Sequence, residues 1–131
     1  MGERPDNPFQ IAQPGNTPPA HDIQEDQNLS PAERVARMVS SSDVFVFMKG
    51  DPRQPMCGFS ANTVAMLNNL GVPYATFDVL SDESIRSAAK TYGQWPTFPQ
   101  VYFKGELVGG NDIISEMYTS GELTELLAGG R

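Results

Sequence analysis

Hydrophobic and polar positions divide the chain at residue 30. Before it, apolar residues such as Phe9, Ile11 and Ile23 stand singly among Pro, Asn, Gln and acidic residues. They are too few to offset the entropy of ordering the segment, so residues 1–29 read as a disordered, acidic, Pro-rich tail. Beyond it the pattern becomes periodic. Ser30-Pro31-Ala32-Glu33 combines a capping serine, proline at the first helical position and glutamate at the third, which predicts a helix ending near residue 40. The apolar run 44–49, closed by Lys49 and Gly50, predicts a buried strand. Pro52 and Pro55 punctuate a loop over 51–55. Over 59–70, Phe59, Val64, Met66, Leu67 and Leu70 follow helical spacing, and Gly71 with Pro73 ends the element.

Alternation follows. The pattern predicts a strand at 74–79, a helix at 82–92 opened by Ser81 or Asp82, and a strand at 99–103. A tight turn at Lys104-Gly105-Glu106 leads to a hairpin arm at 107–109, a helix from Asp112 to about residue 120, and a last helix at 122–127. This order predicts an α/β domain over residues 30–131, with a mixed sheet of about four strands flanked by helices on both faces. There is no internal repeat and no apolar run long enough to cross a bilayer.

Charge and composition narrow the classes of function. The 131 residues suit one domain, and nine Lys and Arg against sixteen Asp and Glu give a net charge of −7. That balance works against broad attraction to nucleic acid or an anionic membrane. Much of it sits in the tail, where Glu3, Asp6, Asp22, Glu25 and Asp26 face Arg4 alone. Such a tail fits neither a transit peptide nor a secretory signal, so the expected setting is cytoplasmic, or an organelle matrix if a presequence has been removed. The single cysteine, Cys57, excludes an internal disulfide, and with His21 as the single histidine the chain cannot supply four Cys/His zinc ligands. Sulfur chemistry here would use one thiol and borrowed groups.

Cys57 follows the proline-bearing loop and precedes a helix. At a helix N-terminus, unpaired N–H groups and the dipole favour thiolate over thiol, and Lys49 adds positive charge. From the element pattern alone, a lone cysteine reads equally as a small buried hydrophobe. Three motifs weigh against that: Lys49-Gly50-Asp51-Pro52-Arg53-Gln54-Pro55-Met56-Cys57-Gly58-Phe59-Ser60, then Trp95-Pro96-Thr97-Phe98-Pro99-Gln100, then Gly109-Gly110-Asn111-Asp112-Ile113. In order and spacing they resemble the monothiol glutaredoxins of the Cys-Gly-Phe-Ser class, over about residues 31–128.

The resemblance implies a thioredoxin-like fold, glutathione binding, and assembly or transfer of 2Fe-2S clusters. Ser60 stands where dithiol members carry their second cysteine, and an alcohol cannot accept a disulfide. The segment between Lys49 and Cys57 is longer than in dithiol members. A 2Fe-2S cluster takes four terminal ligands and each chain offers Cys57. The family solution it resembles is a homodimer completed by two glutathione thiols.

The same resemblance assigns the cradle. Lys49, Arg86 and Lys90 take the glycyl carboxylate, although Arg86 and Lys90 also read as a solvated helix face. Gly110, Asn111 and Asp112 lead into a helix whose N–H groups hold the γ-glutamyl carboxylate while Asp112 meets the ammonium; Asp112 also reads as an N-cap. Thr97, Phe98 and Pro99 match the segment that carries a cis proline beside the thiol, with Phe98 pairing its backbone to the cysteinyl unit. Gly58 and Phe59, adjoining Cys57, belong to the same site. Trp95 reads chiefly as packing, and Met38, Met48, Met66 and Met117 as core fillers. Many relatives carry cysteine where Asn111 stands, so a disulfide from that position to Cys57 is excluded here. The leading expectation is a glutathione-dependent cluster carrier, with a BolA-like protein and apo iron-sulfur acceptors as partners. The alternative is a monothiol oxidoreductase acting on glutathionylated proteins.

Overall fold

The computed structural model describes residues 10–11 and 28–129. The rest of the expected tail, with His21, lies outside the described residues. In chain order the strands are β1 (Gln10–Ile11), β2 (Val44–Met48), β3 (Gly50–Asp51), β4 (Gln54–Pro55), β5 (Ala75–Asp78), β6 (Gln100–Phe103) and β7 (Glu106–Gly109). The helices are α1 (Pro31–Ser40), α2 (Gly58–Leu70), α3 (Glu83–Gly93), α4 (Asn111–Ser120) and α5 (Glu122–Gly129), with a 3-10 turn at Val79–Ser81. Helix α1 begins at the capping box read from the sequence. Ser30 Oγ accepts from the Glu33 N–H at 3.1 Å, and Glu33 Oε1 accepts from the Ser30 N–H at 2.9 Å.

The fold is the helix-flanked mixed sheet that the element order predicts, and the thioredoxin-like arrangement that the resemblance implies. Its main sheet runs β1-β5-β2-β6-β7, with β2 parallel to β5 and the other pairs antiparallel. The four expected strands make the body of this sheet. Beyond them, Gln10 and Ile11 pair with Thr76 and Ala75 and extend the edge by two residues. That pairing uses backbone groups, which leave no side-chain period in the sequence.

Strand β2 is continuously apolar because both of its faces are covered. Phe45 and Phe47 enter one core with Val35, Met38 and Val39 of α1 and Ile85 and Ala89 of α3. Val44, Val46 and Met48 enter the other with Val64, Met66 and Leu67 of α2, Ile114 of α4 and Leu123 of α5. Met38, Met48 and Met66 are buried core residues, and Met117 packs against the second core. No helix among the described residues is long and apolar enough to cross a membrane.

Two expectations need correction. The loop at 51–55 is in part a small hairpin, β3 with β4, because Asp51 Oδ1 accepts from the N–H groups of Arg53 and Gln54 at 2.9 and 2.8 Å and closes the turn. Helix α4 is opened by Gly110, not Asp112. The Gly110 carbonyl takes the first helical bond, from the Ile114 N–H at 3.0 Å, so Asp112 is already the second helical residue.

Candidate functional site

Cys57 comes back to the end of β2 because the residues inserted after Lys49 fold outward. The Met56 N–H donates to the Lys49 carbonyl at 2.8 Å, closing the base of the β3–β4 hairpin. Asp78 Oδ1 ties the hairpin to β5 by accepting from the Gly50 N–H at 2.8 Å. Gly50 has φ of +85°, and a Cβ there would lie 2.5 Å from the Gln54 carbonyl oxygen and 2.7 Å from the Met56 nitrogen. Only glycine fits.

Cys57 caps α2 with its own side chain, in extended backbone geometry. Its Sγ accepts from the Ser60 N–H at 3.4 Å and lies 3.5 Å from Ser60 Oγ. Burial opposes ionisation of the thiol. The Ser60 hydroxyl, the N–H groups of Ser60 and Phe59, and the charge of Lys49 together outweigh it and hold the Cys57 pKa below its ordinary value. Ser60 is fully buried and its hydroxyl also accepts from the Lys49 N–H at 3.1 Å. The residue in the second-cysteine position therefore fixes the thiolate and the end of β2 together.

A cleft of about 410 Å³ opens beside this thiol. Lys49 and Phe59 line it from the Cys57 side, Arg86 and Lys90 from α3. Thr97, Phe98 and Pro99 line it from the segment before β6, and Gly110, Asn111 and Asp112 from the start of α4. Residues far apart in sequence thus meet in one cleft. Cys57 and Gly58 are not among its lining residues; the thiol is half-buried and adjoins the cleft through Lys49 and Phe59. Phe59, counted with the apolar stripe of α2, is 63% exposed and faces this opening rather than the core.

The Phe98–Pro99 peptide bond is cis. A Cβ on Gly110 would lie 3.0 Å from Trp95 Nε1 and 3.2 Å from the Pro99 carbonyl oxygen, so glycine lets the start of α4 close on the segment before β6. Trp95, Pro96 and Ile113 also line the cleft and were not assigned to it from the sequence. Their adjacency to Thr97 and Asp112 was the available signal. The Trp95 indole is a wall of the cleft set close against Gly110, and its backbone carbonyl accepts from Gln100 Nε2 at 3.0 Å.

The cleft is cationic. Among the described residues, ion pairs join Arg34 to Asp82 and Lys104 to Asp43, and none involves Lys49, Arg86 or Lys90. The first turn of α4 faces the same space, and Gly110 provides no side-chain cap for its N–H groups. A stabilised thiolate, unpaired cations and an uncapped helix N-terminus around one concavity suit an anionic ligand that carries sulfur.

The glutaredoxin family model matches residues 44–108. A monothiol glutaredoxin ycf64-like protein of Synechocystis is 53% identical over 94 residues, covering 72% of this chain and 88% of that protein. The chain belongs to the monothiol glutaredoxin family. Monothiol glutaredoxin-S11 of Oryza sativa is 50% identical over 96 residues, 73% of this chain, and the match spans only 20% of the rice protein. In three dimensions this glutaredoxin resembles a monomeric truncated mutant of Trypanosoma brucei 1-C-Grx1. The TM-score is 0.68 at 41% identity, covering 73% of this chain and 87% of that one.

Proposed function

We propose that this monothiol glutaredoxin binds glutathione in the cleft and, as a homodimer, carries a 2Fe-2S cluster as cargo to apo iron-sulfur proteins. The observation that carries this reading is a single thiol whose pKa is lowered, with Ser60 in place of a second thiol, beside a cleft whose cations form no ion pair among the described residues. Glutathione brings two carboxylates, an ammonium group and a thiol. Lys49, Arg86 and Lys90 match the glycyl carboxylate, and the open N–H groups following Gly110 match the γ-glutamyl carboxylate. Asp112 matches the ammonium. Thr97, Phe98 and Pro99 flank the cysteinyl unit, while Gly58 and Phe59 hold the turn that presents Cys57.

The donor set fits the cargo as a pair of chains. Among the described residues no three His, Cys, Asp or Glu side chains gather into a metal site, so one chain contributes the Cys57 thiolate. Two copies and two bound glutathiones supply four sulfur ligands. In this reading Ser60 and Lys49 favour the thiolate form of Cys57, and the cradle orients the glutathione thiol beside it. Ligands that are not covalently attached leave readily, which suits delivery. We assign the face around Cys57, where Met56 and Phe59 are exposed, to the contact with a BolA-like protein. We place the carrier in the cytoplasm, or in an organelle matrix if a presequence is removed, where glutathione keeps thiols reduced.

The lowered pKa of Cys57 favours a second reading, reduction of glutathionylated proteins. The Cys57 thiolate attacks the glutathionyl sulfur and releases the protein thiolate. A second glutathione thiolate then attacks the Cys57–glutathione disulfide, freeing Cys57 and glutathione disulfide. A paired measurement on one preparation separates the two. Reconstitution with iron, sulfide and glutathione is expected to give visible charge-transfer absorption and rapid transfer to an apo-ferredoxin, alongside slow glutathione-coupled disulfide reduction. Turnover like that of a dithiol glutaredoxin, with no transfer, favours the enzyme.

A further inference from the structure

Asn111 is the first residue of α4, and its side chain reaches across to α2. Its Oδ1 accepts from the Thr63 hydroxyl at 3.0 Å and from Asn62 Nδ2 at 2.9 Å. Asn62 Nδ2 also donates to Ser115 Oγ at 3.2 Å, one turn further along α4. Thr63 is fully buried, so its hydroxyl has no water to turn to. These bonds join the helix that Cys57 caps to the helix whose first turn bounds the cleft. On the other side of that turn, Gly110 supplies no side-chain acceptor. The bonds from Asn62 and Thr63 therefore tie to α2 a turn whose N–H groups have no side-chain acceptor of their own.

We propose that Asn111 is a positioning residue: its amide oxygen, held by Asn62 and Thr63, locks the first turn of α4 to α2 and fixes the γ-glutamyl carboxylate site relative to the Cys57 thiolate. This rests on the glutathione reading of the cleft and adds to it a side-chain role that backbone contacts alone do not require. A carboxamide suits the junction. It accepts two hydrogen bonds while remaining neutral, so it does not repel an incoming carboxylate as an aspartate would. Alanine or cysteine there removes the acceptor of a buried hydroxyl, a group that is costly to leave unpaired.

The test titrates S-methylglutathione into the wild type and into Asn111→Ala, Thr63→Val and Thr63→Ser, followed by amide chemical shifts. A parallel series uses S-methylcysteinylglycine, which lacks the γ-glutamyl unit. Asn111→Ala is expected to bind S-methylglutathione about tenfold more weakly, the scale of one lost charge-assisted contact. Thr63→Val is expected to lose about threefold, since Asn62 still holds the amide, and Thr63→Ser to bind like the wild type because the hydroxyl remains. Affinity for S-methylcysteinylglycine is expected to be the same in all four proteins. Equal weakening toward both ligands makes Asn111 a general support of the fold and overturns the positioning role. Unchanged S-methylglutathione affinity in Asn111→Ala overturns it too. If that variant does not fold, equal affinities in Thr63→Val and Thr63→Ser overturn it instead. A wild type that binds neither ligand removes the glutathione reading itself, and the proposal with it.

Discussion

At the start of α1 the chain closes off its own orphan N–H groups, whereas at the start of α4 it leaves them open. Ser30 and Glu33 exchange two reciprocal bonds at α1, with Pro31 occupying a position whose missing N–H costs nothing. Gly110 offers α4 no side-chain acceptor, although no proline removes a donor from its first turn. Helix α2 stands between the two. It is capped, but by the Cys57 sulfur, so the atom that satisfies the helix is also the one that can react. The difference separates structure from site: a helix end satisfied from within supports the fold, and one left open onto a cationic cleft is held for a ligand.

The largest expected effect comes from turning the α2 terminus into the α1 type. Cys57→Ser keeps a side-chain acceptor for the Ser60 N–H, so circular dichroism and melting are expected to stay close to wild type. The chemistry is expected to vanish, with reconstituted iron at background and no charge-transfer absorption. A mutant that retains its full iron complement removes Cys57 from the ligand set.

Next comes turning the α4 terminus into the α1 type. Gly110→Ser supplies the missing acceptor, and its Cβ lies 3.0 Å from Trp95 Nε1 and 3.2 Å from the Pro99 carbonyl oxygen, so the wall of the cleft must shift. Calorimetry is expected to show glutathione affinity reduced by tenfold or more, since charge-assisted hydrogen bonds are worth about 1.5 to 3 kcal/mol. Wild-type affinity would mean that the ligand does not use these N–H groups.

A smaller effect is expected where the helix cap and the thiolate share a residue. Ser60→Ala removes a hydroxyl that favours the Cys57 thiolate, so the pKa rises toward the ordinary thiol value. Alkylation by iodoacetamide is expected to slow at neutral pH, with its midpoint moving up toward that of an ordinary thiol. Above the ordinary thiol pKa both proteins are thiolate and the rates converge. Because the folded pKa is depressed, the stabilisation it represents is present at high pH and is lost as pH falls through the folded value. A midpoint that does not move leaves Lys49 and the backbone N–H groups as the whole cause.

The same contrast explains what the sequence could and could not tell. The capping box, the apolar run of β2 and the Gly71 stop were legible because each is a local pattern with one physical meaning. The capping box spans residues 30–33 and α1 begins at Pro31. Phe59 shares the helical spacing of the apolar stripe, and only its place beside Cys57 in the motif marks it as a site residue, because spacing cannot distinguish a first turn that packs from one that borders an opening. The β3–β4 hairpin escaped because it is made by the Asp51 side chain and backbone bonds, beside prolines that read as loop. Asn111 was legible as a backbone contact only. Its bonds to Asn62 and Thr63 span 49 and 48 residues, and no local pattern encodes them. The roles of Arg86 and Lys90 came from family resemblance, since two cations four apart on a helix read equally as a solvated face.

The smallest expected effect at the site is the control that completes the comparison, removal of the α1 cap by Ser30→Ala. That change deletes the acceptor of the Glu33 N–H and, with it, one half of a reciprocal pair more than twenty residues before Cys57. Loss of such a cap costs about 1 kcal/mol, which for a domain of roughly 100 residues lowers Tm by about 4–8 °C. Helix α1 packs Val35, Met38 and Val39 against the core that holds Phe45 and Phe47, so the loss is expected to appear as global melting rather than local fraying. Glutathione affinity and the Cys57 alkylation midpoint are expected to match wild type at temperatures below melting, because neither Ser30 nor Glu33 lines the cleft. If glutathione affinity fell in step with Tm, the ends of α1 and α4 would no longer be separable. An open helix end would then be no guide to the site.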